Sequence, residues 1–168
     1  KGKWSYKKVN ENEFEVYFEQ RSQGNLKWNL IGHHNTLNAL AAIAAAKHVG
    51  INADSSISAL CKFKNVKKRM ELLDSIKGIN IYDDFAHHPT AIKTTLEGLR
   101  SKIGRDRIVA IIEPRSNTMK LGKMKDSLLK SLKGADIIFC FTKNLSWDPK
   151  ILFKNTPKAN VMNNIDKL

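Results

Sequence analysis

Two acidic and two imidazole side chains stand together at the end of an apolar run, in the segment Ile81-Tyr82-Asp83-Asp84-Phe85-Ala86-His87-His88-Pro89. A carboxylate such as Asp84 can accept hydrogen bonds from ribose hydroxyls, and His87 or His88 can contact a phosphate or transfer a proton. The alternative is a capped helix start at Pro89 with two surface histidines. Adjacent histidines point in different directions and no third ligand follows at metal-like spacing, so we predict no metal site.

A second polar segment, Gly32-His33-His34-Asn35-Thr36-Leu37-Asn38, leads directly into an alanine-rich stretch. The start of a helix presents free N–H groups and a partial positive charge, which suit an anion or a ring with acceptor atoms. Asn35 and Asn38 would share one helix face, where carboxamides can pair with a purine edge. The alternative is that Asn35 only caps the helix and His34 is a packing residue.

Two further segments carry groups suited to anions. Lys67-Lys68-Arg69-Met70-Glu71 precedes a strand, and Arg69 can clamp a phosphate with its fork of donors, although a charge run is often only a solvated face. Glu113-Pro114-Arg115-Ser116-Asn117-Thr118-Met119-Lys120 follows the most apolar strand. We predict this second segment to be a polar loop that binds substrate, with Arg115 as a partner for a carboxylate.

The first thirty residues alternate in a strand-like manner and predict a β-hairpin, with Arg21 to Asn25 as its turn and Leu26 to Ile31 as its second strand. The periodicity then changes to that of helices. Two helices are predicted, from Asn35 to Val49 and from Asp54 to about Lys62. Residues 1–62 therefore form one unit.

Beyond Asn65 apolar strands alternate with amphipathic helices, which predicts an α/β domain from residue 63 to residue 168. The run Ile108 to Ile112 is apolar on both faces, as in a strand covered by helices on each side. We therefore expect a Rossmann-like, mostly parallel sheet with helices on both faces. The predicted strands are 71–76, 79–83, 107–112, 136–141 and one around Val161, and the predicted helices are 89–99 and 123–132.

The composition restricts the partners of the chain. Lysine and arginine number 29 against 16 acidic residues, a net charge of +13 that favours polyanions and leaves a basic nucleic-acid-binding module as an alternative. No aromatic RNA-binding signature accompanies the basic residues, so we assign most of this charge to a solvated surface. The longest apolar stretch, Ala39 to Ala46, is far shorter than the roughly 20 residues of a membrane span.

The ends and the cysteines predict the setting of the chain. Cys61 and Cys140 stand alone and no leader opens the sequence, which indicates a reducing, cytoplasmic protein with two unpaired thiols. Lys1-Gly2-Lys3-Trp4 stands where an initiator methionine would be. We therefore expect the chain to be an excised fragment.

Taken in order, these segments resemble the Mur ligase family. Gly32 to Ala42 is similar to the family's Gly-x-His-Asn-x-x-Asn-Ala-x-Ala-Ala segment, which reaches the nucleotide. Arg69-Met70-Glu71 is similar to the Gly-Arg-x-Glu entry into the carboxy-terminal domain, with Lys68 in place of glycine. Asp84 to Pro89 is similar to Asp-Tyr-x-His-x-Pro, with Phe85 in place of tyrosine. Three matches in register make the resemblance specific.

The resemblance implies that residues 1–62 are the tail of a central ATPase domain and residues 63–168 the carboxy-terminal ligase domain. It also implies an ATP- and Mg²⁺-dependent ligase that forms an acyl phosphate on the muramyl carboxylate, which an amine then attacks. The segments 84–92 and 113–120 look most like members that join a murein tripeptide to UDP-N-acetylmuramate in peptidoglycan recycling. Members that add L-alanine are the closest alternative, but they usually carry glycine at Ala86.

By the same resemblance the candidate site residues fall into three groups. His34, Asn35 and Asn38 would contact adenine, and Arg69 and Asp84 would contact ribose or phosphate. The incoming peptide would be contacted by His87, His88, Arg115, Ser116, Asn117, Thr118 and Lys120. Asp84 and His87 would support catalysis. No Gly-x-x-Gly-Lys-Thr phosphate loop occurs in the sequence, so we expect ATP and Mg²⁺ to be held mainly outside it and the chain alone to be inactive.

Overall fold

The computed structural model describes residues 3–143 and 145–164 and divides the chain into two compact units, Lys1–Asp83 and Asp84–Leu168. Among the described residues no helix is both long and apolar enough to cross a membrane. The mixed α/β class predicted from the sequence is confirmed.

The first unit contains an antiparallel sheet, two helices and a separate hairpin. Its elements are β1 (Trp4–Asn10), β2 (Glu13–Phe18), β3 (Arg21–Lys27), α1 (His33–His48), α2 (Ala53–Cys61), β4 (Glu71–Ile76) and β5 (Ile79–Asp83). The strands β1, β2 and β3 lie side by side in that order, and β4 pairs with β5. Alternation places Phe14 and Val16 of β2 in a buried cluster with Leu26, Ile43 and Ile57.

The predicted hairpin is confirmed by the antiparallel pairing of β2 with β3, but the number of strands and the position of the turn were predicted wrongly. A third strand, β1, pairs with β2, and the turn lies at Glu19 and Gln20, both in the left-handed region with φ of 45° and 67°. Gly24 lies inside β3 and pairs with Val16, beside a register shift. Its φ of 115° therefore serves a bulge within the strand, which a sequence pattern does not distinguish from a turn.

The second unit contains a parallel three-stranded sheet with helices packed around it. Its elements are α3 (Pro89–Ile103), β6 (Val109–Ile112), α4 (Asn117–Lys120), α5 (Lys125–Ser131), a 3₁₀ turn (Leu132–Gly134), β7 (Ile137–Phe141), α6 (Pro149–Phe153) and β8 (Ala159–Met162). The strand order is β6-β7-β8, with parallel pairing throughout. The buried cluster of this unit includes Leu128, Leu132, Ile138 and Cys140.

Two expectations for the α/β part need correction. The predicted strands 71–76 and 79–83 form a separate two-stranded antiparallel sheet, so they lie outside the parallel sheet predicted for residues 63–168. Val109 and Ile111 are 47% and 61% exposed, so the apolar run around them is not covered on both faces in the described chain. Val109 and Ile111 alternate with the half-buried Ala110 and Ile112, so one face of β6 is exposed. The domain boundary at residues 62–63 stays a prediction.

A hydrogen-bonded clamp built on Arg100 fixes the start of β6. The guanidinium donates to the carbonyl oxygens of Gly104 (3.1 Å), Asp106 (2.6 Å) and Gly134 (3.2 Å), and it forms an ion pair with Asp136. The Asp136 carboxylate also accepts from the backbone N–H of Ile108 at 2.7 Å. The Ile108 N–H and then the Arg100 guanidinium lower the pKa of Asp136 below its usual range.

Candidate functional site

The loop after β5 is organised by Asp84. Its Oδ1 accepts from the backbone N–H of Ala86 at 2.8 Å and lies 3.5 Å from Thr95 Oγ1 on α3. The first contact is an Asx turn, in which a carboxylate replaces a backbone acceptor. This half-buried carboxylate therefore fixes the path of the chain into the two histidines.

The two histidines of this loop make different local contacts. His87 Nδ1 lies 3.0 Å from the carbonyl oxygen of Phe85, and the two rings are 4.9 Å apart. His88 caps α3, because its Nδ1 accepts from the backbone N–H of Thr90 at 3.3 Å and Pro89 is the first helical residue. The capped helix start considered from the sequence is therefore observed. Both side chains are exposed and therefore accessible to a ligand. Contact of either with a ligand stays a prediction.

The segment after β6 is partly helical, whereas the sequence predicted a polar loop. Ser116 caps α4 by accepting from the backbone N–H of Met119 at 3.4 Å. Arg115 is 78% exposed and its Nε lies 3.1 Å from the Glu113 carboxylate. The side chains of Asn117 and Thr118 are exposed as well, and Lys120 is half-buried. Four polar side chains and one hydroxyl cap thus surround a single helical turn.

The carbonyl end of α4 is fixed by residues that follow β7. Ser146 donates to the carbonyl oxygen of Lys120 through its backbone N (3.0 Å) and its Oγ (2.7 Å). The indole Nε1 of Trp147 donates to the carbonyl oxygen of Met119 at 2.8 Å. We did not predict these two residues from the sequence. A donor lying 26 to 28 residues from its acceptor leaves no local pattern.

The candidate adenine contacts lie at the start of α1. Asn38 Nδ2 is 3.5 Å from Asn35 Oδ1, so the predicted shared helix face is confirmed. Asn35 does not cap the helix: the cap position is Gly32, and Asn35 Nδ2 donates back to the carbonyl oxygen of Ile31 at 2.8 Å. His34 is half-buried and Asn38 is exposed. The amide of Asn38 is therefore accessible to a ligand.

Arg69 lies in a tight connection before β4. Lys68 and Met70 on either side have φ of 58° and 47°, and the backbone N–H of Lys68 donates to Glu71 Oε2 at 2.8 Å. The side-chain amide of Asn65 donates to the carbonyl oxygen of Arg69. These contacts bend the backbone sharply while the Arg69 side chain stays exposed, as a phosphate-binding guanidinium requires.

The structure groups the predicted residues in two compact units. His34, Asn35, Asn38 and Arg69 belong to the first unit; Asp84, His87, His88 and the residues from Arg115 to Lys120 belong to the second. Among the described residues, no three His, Cys, Asp or Glu side chains are grouped so that they could hold a metal ion.

Comparison with known proteins identifies the family. The model of the Mur ligase glutamate ligase domain matches residues 68–166, more than half of the chain. The chain therefore belongs to the Mur ligase family, and the resemblance drawn from its motifs is confirmed.

Individual relatives refine this placement. The chain is 49% identical over 141 residues to UDP-N-acetylmuramate--L-alanyl-gamma-D-glutamyl-meso-2,6-diaminoheptandioate ligase of Escherichia coli, a match that covers 82% of the chain and 31% of that protein. It is 40% identical over 114 residues to UDP-N-acetylmuramate--L-alanine ligase of Desulforamulus reducens, covering 67% of the chain and 24% of that protein. The chain thus spans less than a third of these relatives.

A solved structure supports the same placement. The murein peptide ligase of Psychrobacter arcticus superposes with a TM-score of 0.66 at 38% identity, covering 98% of the chain and 37% of that protein. Nearly the whole chain is therefore accounted for by this family's fold.

Proposed function

We propose that this chain is the carboxy-terminal part of a ligase that joins L-alanyl-γ-D-glutamyl-meso-diaminopimelate to UDP-N-acetylmuramate, in peptidoglycan recycling in the cytoplasm. The main support is the 49% identity to the Escherichia coli ligase named for that tripeptide, against 40% to a ligase named for L-alanine. We call the longer protein proposed to contain the chain the complete ligase.

The segment 113–120 supports a peptide as the acceptor. It presents the exposed guanidinium of Arg115 just before α4, and the exposed polar side chains of Asn117 and Thr118 on α4, which is fixed at both ends. A guanidinium and neutral donors together match a peptide with several carboxylates. L-Alanine offers one carboxylate and a methyl group and would leave most of these groups without a partner.

Nucleotide contacts are proposed for five side chains. The amides of Asn35 and Asn38, together with His34, would contact the adenine edge, and Arg69 would contact ribose or phosphate. Asp84 would contact ribose in addition to holding its own loop. Bound ATP supplies the phosphoryl group that activates the muramyl carboxylate. The described residues contain no acidic cluster for Mg²⁺, so we propose that the metal and the phosphates are held mainly by residues outside this chain.

This assignment also covers the domain organisation. We propose that residues 1–62 close a central ATPase domain and that residues 63–168 form the ligase domain, so the chain alone has no ligase activity. The family model begins at residue 68, which supports a boundary in the connection after α2. No contact or fold feature in the described part of the chain favours the nucleic-acid-binding alternative.

ADP release by the complete ligase tests this proposal. We expect release only when ATP, Mg²⁺, UDP-N-acetylmuramate and the tripeptide are all present, with one amide product formed per ADP. Omission of each component in turn is the control. No tripeptide-dependent ADP release would overturn the proposal.

A further inference from the structure

The short helix α4 lacks the length to hold its own position. It has four residues, Asn117–Lys120, whereas isolated helices shorter than about 12 residues are marginal in water. Its geometry must therefore be set by contacts with other parts of the second unit. Met119 provides one of them, because it is 4% exposed and belongs to the hydrophobic cluster of this unit.

Residues 146 and 147 provide further contacts at the end of α4, where carbonyl groups lack partners within the helix. The Met119 carbonyl oxygen there also accepts from the backbone N–H of Gly122 at 3.0 Å. The Lys120 carbonyl oxygen accepts from Ser146 N (3.0 Å) and Oγ (2.7 Å), and the Met119 carbonyl oxygen accepts from Trp147 Nε1 (2.8 Å). The Trp147 ring also packs against the hydrophobic cluster. The indole thus joins α4 to the core by one hydrogen bond and one apolar contact.

The residue that allows the indole to pack closely after the end of α4 is a glycine. Gly122 has a φ of 70°, and a Cβ added there would lie 2.8 Å from Cδ1 and 3.1 Å from Cγ of Trp147. Cβ atoms are essentially never found at 2.8 Å from another group, so the ring and the glycine backbone are in direct contact. The side chains of Asn117 and Thr118 in α4 are exposed.

We propose that Trp147 is a positioning residue for the acceptor peptide, acting through α4 and assisted by Ser146. This inference rests on the proposed function, because it assigns peptide contact to the segment from Arg115 to Lys120. Trp147 itself makes no contact with the peptide in this account. It holds the backbone of Met119 and Lys120 so that the exposed side chains of α4 meet the acceptor in one arrangement, which reduces the ordering cost of binding.

Two variants of the complete ligase test the inference by separate routes. Trp147→Phe removes the N–H donor while keeping an aromatic ring, and Gly122→Ala pushes on the ring without removing the donor. For Trp147→Phe we expect KM for the tripeptide to rise about tenfold, the effect of losing one hydrogen bond on a binding constant. For Gly122→Ala we expect a rise in the same direction, because displacement of the ring moves the indole N–H away from the Met119 carbonyl oxygen. KM for ATP and for UDP-N-acetylmuramate should change less than about twofold, as expected when only one substrate loses binding.

Gly104→Ala is the matched control. Gly104 has a φ of 63°, close to that of Gly122, but a Cβ added there meets no atom within 4 Å. A substitution at Gly104 is therefore also strained by its positive φ, but the contact with Trp147 is absent. We expect this variant to lose thermal stability through its backbone strain, with a tripeptide KM near that of the wild type.

Hydrogen–deuterium exchange over residues 116–122 keeps the inference testable whether or not the tripeptide is the acceptor. Faster exchange there in Trp147→Phe and Gly122→Ala, with no change in Gly104→Ala, supports positioning through α4 even if the wild type uses another amine. Unchanged exchange, an unchanged tripeptide KM, or an equal rise in all three KM values would overturn the inference. Failure of the wild type to use the tripeptide would instead count against the proposed function.

Discussion

The two candidate loops of the second unit are held in different ways. In the loop after β5, Asp84 accepts from Ala86, two residues away, and His88 accepts from Thr90. In the segment after β6, the decisive contacts come from Trp147 and Ser146, more than 25 residues along the chain. One loop carries most of its own support, while the other depends on a distant segment.

This difference predicts different responses to mutation. A loop held by its own side chains loses its shape when one of them is removed, because the same residue both makes the supporting hydrogen bond and is proposed to contact the ligand. A turn held from a distance keeps its chemical groups when the support is removed, but presents them less precisely. We therefore expect large effects on turnover in the first loop and selective effects on acceptor binding in the second.

The largest expected effect is at Asp84. Asp84→Ala removes the acceptor for Ala86 and the proposed ribose contact, and we expect kcat/KM of the complete ligase to fall about 100-fold, as misplacement by about 1 Å can cause. Thr95→Val is the control, because it removes only the 3.5 Å contact to the same carboxylate. Near-normal steady-state kinetics for Asp84→Ala would remove this residue from the site and weaken the comparison.

A substitution at Arg100 tests whether the start of β6 and the segment 113–120 after β6 have separate roles. Arg100→Met removes hydrogen bonds from a charged group to the carbonyl oxygens of Gly104, Asp106 and Gly134, which we expect to cost about 2 kcal/mol of unfolding free energy. Urea denaturation checks the value, with the exposed Arg105→Met as the matched control. The clamp lies at the start of β6, away from the segment after β6 that is proposed to bind the tripeptide. A selective rise in tripeptide KM in Arg100→Met would therefore contradict a purely stabilising role for the clamp.

The cap of α4 should have a smaller effect. Ser116→Ala removes the hydroxyl that accepts from Met119, and loss of such a cap costs about 1 kcal/mol. If α4 presents the acceptor site, tripeptide KM should rise about fivefold. Ser101→Ala, on an exposed position of α3, is the control in the same kinetic assay. A rise in KM for ATP alone would indicate that this segment contacts the nucleotide and not the acceptor peptide.

The smallest expected effect is a change in pH dependence. The folded-state pKa of Asp136 is depressed by the Ile108 N–H and by Arg100, so its contribution to stability is present above the unfolded value of about 3.9 and is lost as the pH falls through the folded value. Asp136→Asn should flatten the loss of stability below about pH 4, measured by thermal unfolding at a series of pH values. A steeper acid loss in the variant would contradict the clamp.

The sequence predicted the features that depend on near neighbours. Pro89 and the histidines before it indicated a helix start, and the run from Glu71 to Asp83 indicated two strands around Lys77-Gly78; both are observed. The positive φ values of Lys77 and Gly78 match a tight turn.

Features that depend on distant partners were missed or wrong. The four-residue helix α4 has too little periodicity to be recognised, and the donors that fix it come from Ser146 and Trp147. The exposure of Val109 and Ile111 depends on which face of β6 is covered by other elements, which an apolar run does not encode. Gly24 was assigned to a turn because glycine serves turns and bulges alike.

Competition among acceptors tests the central claim most directly. The complete ligase would receive ATP, Mg²⁺, limiting UDP-N-acetylmuramate and equal concentrations of L-alanine, L-alanyl-γ-D-glutamate and the tripeptide, and the products would be separated by mass. We predict that the tripeptide product predominates in the wild type and that its share falls in Trp147→Phe. Predominance of the L-alanine product in the wild type would contradict the account.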